Sequence, residues 1–460
     1  MFSLTNNPII DTGIHVMEAW LEKRCDEIDE KDLKKIKKDI IKRYLRKDMQ
    51  SHLSTIFTNN CAWCQPAYAG KPEKRVEEAG PLFDKINAPP LQPIRRCNSC
   101  SRDAVFELNR MYYPMMAGED IFIYSPEGSS GIPICGECLF TVQAFPLGTT
   151  KIGGQPFFWT CPDPDWNYSL TKDNFNQNKH ILNTNRDDKY PNKSNVITRM
   201  FERMKIIIDD FDEFKKERSL SIKDIYAIHF SNSGQGPDYV EYYIPERFLK
   251  FWHSLQNKKE IRERHQFIIK TNWREDKKAE DGVSTKNGYY EYLGKCFQDG
   301  NWVWEAREVV SKFYFLGRHK NNRDNLYKNN YELCKKFLTE VCNMDNERLE
   351  ILKEFTDLFV SKLIIEGNEK RLIHDLFGAR LSPNRFVNYI MRVQRKLSNR
   401  AEPYSSDRIF KMLGIVDEED GTLRDAYLLK DLMLIRMFEL IGKQNKDLLE
   451  DIEEEENNVD

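Results

Sequence analysis

The chain lacks any uninterrupted apolar run of about 18 residues, which excludes a classical membrane-spanning helix. Its opening residues, MFSLTNNPIIDTGIHVMEAW, have no basic start and no small-residue cleavage site, so no signal peptide is read and a cytoplasmic location is expected. There is no GxxxxGK[ST] phosphate loop, no HExxH and no GxSxG, so three common catalytic designs are missing. Histidine is scarce, with 8 in 460 residues, and scattered. No internal repeat and no long low-complexity linker interrupts the chain. Net charge is only -3, and even that is local: residues 447–460, DLLEDIEEEENNVD, hold eight acids and no base, so without them the body stands near +5. A mildly basic body permits a polyanionic partner without requiring one, and the acidic run predicts a solvated, disordered tail over 451–460.

What the chain does have is length for two or three domains, 40% hydrophobic residues to build cores, and 11 cysteines. In a cytoplasmic chain, closely spaced cysteines point to metal rather than to disulfides. Three Cys-x-x-Cys pairs fall in the first third: Cys61/Cys64, Cys97/Cys100 and Cys135/Cys138. Each pair places two thiolates on one turn, able to reach a single tetrahedral Zn²⁺. The second and third pairs make the better partners, because both sit in knuckle-like contexts (Arg96-Cys97-Asn-Ser-Cys100 and Ile134-Cys135-Gly-Glu-Cys138). The 34 residues between them exceed the usual spacing of roughly 15–20, which an inserted hairpin would absorb. Structural zinc at Cys97, Cys100, Cys135 and Cys138 is therefore expected. Cys61 and Cys64 either build a second site with Cys161, His52 or Cys25, or carry no metal. The alternative for all of them is reduced, buried cysteine. A redox dithiol would need a thioredoxin-like βαβ setting, which is absent, and an all-cysteine site leaves no open position for catalytic metal.

Periodicity divides the rest. Residues 1–55 predict a helical segment, with Ile36, Ile40, Ile41, Tyr44 and Leu45 at helical spacing. Residues 56–165 form the Cys-rich zinc-binding region. Residues 166–330 read as mixed α/β: KDIYAIHFS and DYVEYYIP predict a hairpin closed by a Gly-rich loop at 231–238, and NGYYEYLGK and NWVWEA predict further strands. Residues 331–450 predict a helical bundle. Its stripes are Leu352, Phe355, Phe359 and Leu363, then Phe386, Ile390, Val393 and Leu397 behind a Ser382-Pro383 start. The expected class is α+β: a mixed N-terminal part with a zinc-binding Cys-rich segment, followed by an all-helical C-terminal domain.

Two features offer contacts to a polyanion. Between 371 and 400 there are seven Arg/Lys and one acid, Asp375. At 100° per residue, Arg385, Arg392 and Lys396 fall within about 40° of one another, and Arg380 and Arg395 add to the same basic stretch. Phosphate contact is one reading; an ordinary solvated face is the other. In the loop, Asn232 and Gln235 bring amides able to meet base edges, against the alternative of a plain turn. His374-Asp375 resembles half of a metal phosphohydrolase centre, but the further histidines such a centre needs are missing.

Taken together, NPIIDTG, the CNSC and GIPICGEC pairs flanking YYPMMAGED, CLFTVQAFPLG, and IYAIHFSNSGQGPDYVEYYIP resemble the CXXC–CXXC family of CRISPR-associated proteins, the large subunit of type I-B Cascade. By motif the resemblance covers roughly residues 1–250. It implies a non-catalytic subunit of an RNA-guided DNA surveillance complex. Its partners would be CRISPR RNA, target DNA, other Cascade subunits and a helicase-nuclease that it recruits; no membrane is involved. It would read the motif flanking the target, as protein does in RNA-guided recognition while base pairing reads the rest. It further implies that the helical end resembles the small subunit, with Met344 as an internal start for a separate chain. Competing readings are a zinc-stabilised nuclease using His374-Asp375, and a zinc adaptor protein.

Overall fold

The computed structural model describes residues 2–116, 131–184, 189–191, 195–209, 211–212, 221–233, 236–275, 285–298, 302–316, 328–377, 382–400, 404–414 and 425–444. Gln235, Arg380 and the tail 451–460 lie outside them. The chain forms two compact units, the first of Met1–Glu246 with Glu275–Lys286, the second of Arg247–Arg274 with Asn287–Asp460. The class is mixed α+β, mostly helical, with small antiparallel sheets.

The first unit opens on three helices: α1 (Pro8–Leu21), α2 (Glu30–Tyr44) and α3 (Lys47–Ile56). Asn7 caps α1, its side chain accepting from the Ile9 and Ile10 N–H groups, and Pro8 takes the first helical position. Asp29 caps α2 in a reciprocal box with Asp32. The predicted stripe of α2 is real: Ile36, Ile40 and Tyr44 are buried. α4 (Pro72–Asp84) follows, then a short ladder of β1 (Phe106–Leu108) with β2 (Ile132–Ile134), and α5 (Gly136–Ala144). α1 packs on α5 so closely that a Cβ at Gly13 would stand 2.1 Å from the Thr141 carbonyl oxygen. A four-stranded antiparallel sheet runs in the order β3 (Thr150–Ile152), β4 (Gln155–Thr160), β5 (Ile225–Ser233), β6 (Gly236–Ile244). The β5–β6 hairpin that the alternating pattern predicts pairs Ile225 with Ile244, but the ladder runs on through Asn232–Pro237 and Ser233–Gly236, so 231–233 and 236–238, expected as loop, are strand. Between β4 and β5 lie α6 (Pro164–Thr184) and α7 (Val196–Asp209).

The second unit is mostly helical where described. It contains α8 (Glu246–Ser254), α9 (Lys259–Thr271), α10 (Gly288–Cys296) and α11 (Trp302–Val309). These are followed by α12 (Tyr331–Glu340), α13 (Asn346–Phe359), α14 (Arg371–Phe377), α15 (Pro383–Ser398), α16 (Ser406–Leu413) and α17 (Ala426–Gln444). The strands predicted at NGYYEYLGK and NWVWEA are instead α10 and α11. Aromatic residues favour strands only as far as they fit a half-buried pleat. Here Asn287 caps α10 by accepting from Tyr289 and Tyr290 N–H, and Tyr289, Tyr290 and Leu293 recur at helical spacing and are buried. Ser382 caps α15 with Pro383 at the first position, as its sequence predicts. The stripes Leu352–Phe355–Phe359–Leu363 and Phe386–Ile390–Val393–Leu397 are buried.

Candidate metal cluster and polar cavity

β1 and β2 account for how two distant Cys-x-x-Cys turns meet. The pairing of Phe106 with Ile134 sets the second turn directly after β2, and the Asn98 N–H donates to the Pro133 carbonyl at 3.0 Å to hold the first turn against it. The ligand atoms of Cys97, Cys100, Cys135 and Cys138 all lie within 4.8 Å of one another, and three of the four residues are buried. Cys135 caps α5, its Sγ accepting from the Cys138 N–H at 3.4 Å, so the helix dipole favours a thiolate there. Gly136 is forced by close approach: a Cβ would stand 2.3 Å from Ile86 Cα and 2.5 Å from the Lys85 carbonyl oxygen.

Without a cation, the crowded thiols pull against one another. Hydrogen bonds from the Cys135 and Cys138 thiols hold Cys97 far below the ordinary thiol range. Cys138 is pushed far up by its hydrogen bonds to Cys135 and Cys97 and by burial. A bound cation resolves that conflict, because metal ligation selects the deprotonated thiolate. Around the thiols, Arg102 Nε lies 3.3 Å from Cys100 Sγ and its NH1 pairs with Glu137 at 2.8 Å, fixing the first turn to α5. Asn7 Nδ2 donates to Tyr113 Oη at 2.8 Å and reaches Ser99 Oγ at 3.4 Å. Three of the motif fragments, NPIIDTG, CNSC and YYPMM, therefore meet at one side chain.

Cys61 and Cys64 do not join this cluster. Their turn is closed by the Cys64 N–H donating to the Cys61 carbonyl at 2.9 Å. Hydrogen bonding to Cys61 is the main reason the Cys64 thiol is pushed well above its ordinary range. Among the described residues, the four-cysteine cluster is the only group of three or more metal-ligating side chains that close together. His52 is engaged elsewhere, with Nε2 2.9 Å from Thr149 Oγ1 and the ring stacked on Tyr190. Burial holds its pKa down to about 3.

Asn232 sits at the end of β5, 6% exposed. Its Nδ2 donates to the Ile56 carbonyl at 3.1 Å, and its Oδ1 is buried without a partner. It lines a cavity of about 500 Å³ within the first unit, with Thr58, Asn59, Asn60, Arg110, Gln155 and others. Among the described residues, no acid lines this cavity. Thr58 Oγ1 is also buried and unpartnered. Each such group costs on the order of 1–3 kcal/mol while unsatisfied.

On α15, Arg385 and Arg395 are exposed and have no ion-pair partner among the described residues. Arg392 and Lys396 are matched from outside the helix: Arg392 pairs with Asp375 at 2.5 Å, and Lys396 pairs with Glu369. Arg400 also reaches Glu369, at 3.2 Å. A window of 371–400 hides this, because Glu369 falls two residues before it. Asp375 is thus tied to Arg392 rather than set beside a second metal ligand.

No family model, curated protein or solved structure matches the chain. Among the described residues, no helix is long and apolar enough to cross a membrane.

Proposed function

We propose that the chain is a non-catalytic, zinc-stapled, nucleic-acid-binding subunit, the large subunit of a type I-B RNA-guided DNA surveillance complex. The observation that carries the reading is the convergence of four cysteine thiols from two knuckle turns that the family resemblance pairs. Zinc is the ion the donor set fits. With Zn–S near 2.3 Å, tetrahedral coordination spaces sulfurs about 3.8 Å apart. Cys100 and Cys135 Sγ are 3.4 Å apart, far beyond a disulfide bond, and all four lie within 4.8 Å. Four thiolates fill the coordination sphere, so the metal would hold the fold and activate no water. Chemistry would then fall to a partner, the helicase-nuclease.

Recognition would use two surfaces. The Asn232 cavity, with no acid among its described lining residues, adjoins the hairpin proposed to read the flanking motif. The unmatched Arg385 and Arg395 on α15 would meet phosphates, with Arg392 and Lys396 joining by exchanging their carboxylate partners. Such exchange is easy because exposed ion pairs contribute only about 0–1 kcal/mol.

The test is binding of the assembled complex to duplexes that differ only in the flanking motif. Asn232→Ala should abolish the discrimination while RNA association stays intact. Full discrimination by the variant would refute the assignment of the hairpin.

A further inference from the structure

We propose that the groove between β3, α6 and α7 of the first unit is a subsite for one phosphate group, seated on Lys151. The inference deepens the nucleic-acid reading above and takes its preferred source, a backbone phosphate, from that reading.

Three cations from two elements line one small cavity: Lys151 of β3, and Arg199 and Arg203 of α7. The two arginines are only half matched. Arg199 pairs with Glu202, which also lines the cavity, and Arg203 pairs with Asp173 on α6. Each guanidinium engages its carboxylate through one terminal nitrogen, and its Nε stays buried with no hydrogen-bond partner. Lys151 is less satisfied still. It is half-buried and has no ion-pair partner among the described residues. The charges that bear on it belong to other bases. Burial first, and the charge of Lys189 second, hold its pKa down, and Lys151 in turn adds to the burial that lowers His52.

An ammonium in that position is costly. The floor of Ile152 and Phe157 limits solvent screening, so repulsion from a neighbouring cation is felt more strongly than it would be in open water. An anion reverses the sign of that interaction. Size then narrows the class. The cavity holds about 60 Å³, far less than the roughly 300–1,000 Å³ of sites that enclose a whole small ligand. It has room for one anionic group and not for a nucleoside. A carboxylate offers two oxygens in one plane, the arrangement that Glu202 and Asp173 already supply to the arginines. A phosphate offers oxygens in several directions. One can sit on the Lys151 ammonium, which acts as a point charge, while others meet the guanidinium nitrogens that Glu202 and Asp173 leave unused.

The experiment titrates the full-length chain with inorganic phosphate, followed by phosphorus NMR, with acetate as the competing control. In parallel, single-stranded oligouridylate and oligothymidylate of equal length are bound across a salt series. Two variants are compared. Lys151→Gln removes the seat of the site, and Lys179→Gln removes an exposed charge from α6 outside the cavity. Lys151→Gln should abolish saturable phosphate binding and weaken at least one oligonucleotide several-fold. Its salt slope should fall by about 0.7, the value of one single-strand phosphate contact. The two oligonucleotides tell RNA from DNA as the source. Lys179→Gln should leave every reading unchanged. Because Lys151 has no carboxylate to lose, its melting temperature should hold or rise. Loss of phosphate binding with both oligonucleotides unmoved would uphold the subsite and assign it to free phosphate rather than to a backbone. Equal weakening by the two variants, displacement of phosphate by acetate at equal concentration, or no effect of Lys151→Gln on either ligand would overturn it. If it fell while the complex still discriminated flanking motifs through Asn232, the subsite alone would be lost and the broader function would stand.

Discussion

The two units handle polar groups in opposite ways. In the first, the thiols and amides of the candidate site are buried and few can change partner. Four cysteines crowd within 4.8 Å, His52 is sealed against Thr149 and Tyr190, and the Asn232 carbonyl oxygen is buried with none. In the second, charged groups on α15 sit at the surface and exchange easily. Arg392 and Lys396 are already held by Asp375 and Glu369, while Arg385 and Arg395 have no ion-pair partner among the described residues. The lesson concerns where a perturbation should register: as lost fold in the first unit, and as altered binding with little loss of fold in the second.

The largest effect should come from the cysteines. On the zinc reading proposed above, removing the metal, or Cys135→Ser, should destabilise the first unit by about 5 kcal/mol or more, since structural zinc binding in small domains reaches about 10–16 kcal/mol. Denaturant melts with parallel metal analysis check this. A metal-free variant as stable as the parent would erase the contrast.

Next is acid. The unfolded chain protonates His52 near the usual 6.5, whereas burial holds it down to about 3 in the fold. The unfolded state therefore binds the proton first. The contribution is complete above about pH 6.5 and is lost as pH falls toward 3, at about 1.4 kcal/mol per pH unit. Burial lowers His229 as well, adding in the same direction. Stability measured between pH 7 and 5 should fall more steeply in the parent than in His52→Gln. Parallel slopes would mean His52 is not sealed.

Third, Gly136→Ala drives a methyl into the Ile86 backbone and should cost about 1–3 kcal/mol through overpacking. A neutral Gly136→Ala would show the approach of α5 to residues 85–86 to be loose. The smallest effect on stability belongs to α15. Glu369→Gln frees Lys396 and Arg400 and should change stability by less than about 1 kcal/mol. It should also strengthen DNA binding and steepen its salt dependence, by up to roughly 0.9 per added phosphate contact. Arg385→Glu should do the reverse. A large stability loss in Glu369→Gln, with DNA binding unmoved, would make these pairs structural and collapse the distinction.

Much of this contrast could be read in advance, and the parts that could not have physical reasons. The caps at Asn7 and Ser382 and the stripes of α2, α13 and α15 follow from local rules of spacing and capping. The β5–β6 hairpin follows from alternation around glycines. The pairing of Cys97/Cys100 with Cys135/Cys138 was legible despite the long gap, because knuckle turns carry their own signature and a hairpin can close any spacing. α10 and α11 were misread, because aromatic runs favour strands only where the surface is pleated, and capping by Asn287 outweighed that. Glu369 was missed because an ion pair between a helix and the loop before another helix has no fixed sequence offset. The cavity around Asn232 was invisible for the same reason. It is assembled from α3's end, the segment after β1, the β3–β4 turn and β5, and only the Gly-rich loop with its amides hinted at it.

The central claim is that this chain works within an RNA-guided complex rather than alone. Purifying it under native conditions from cells that produce it, then sequencing co-purified nucleic acid, tests that most directly. Stoichiometric small RNAs sharing one constant 5′ segment followed by variable sequence are expected. Protein free of RNA, or carrying RNA with no common segment, would contradict it.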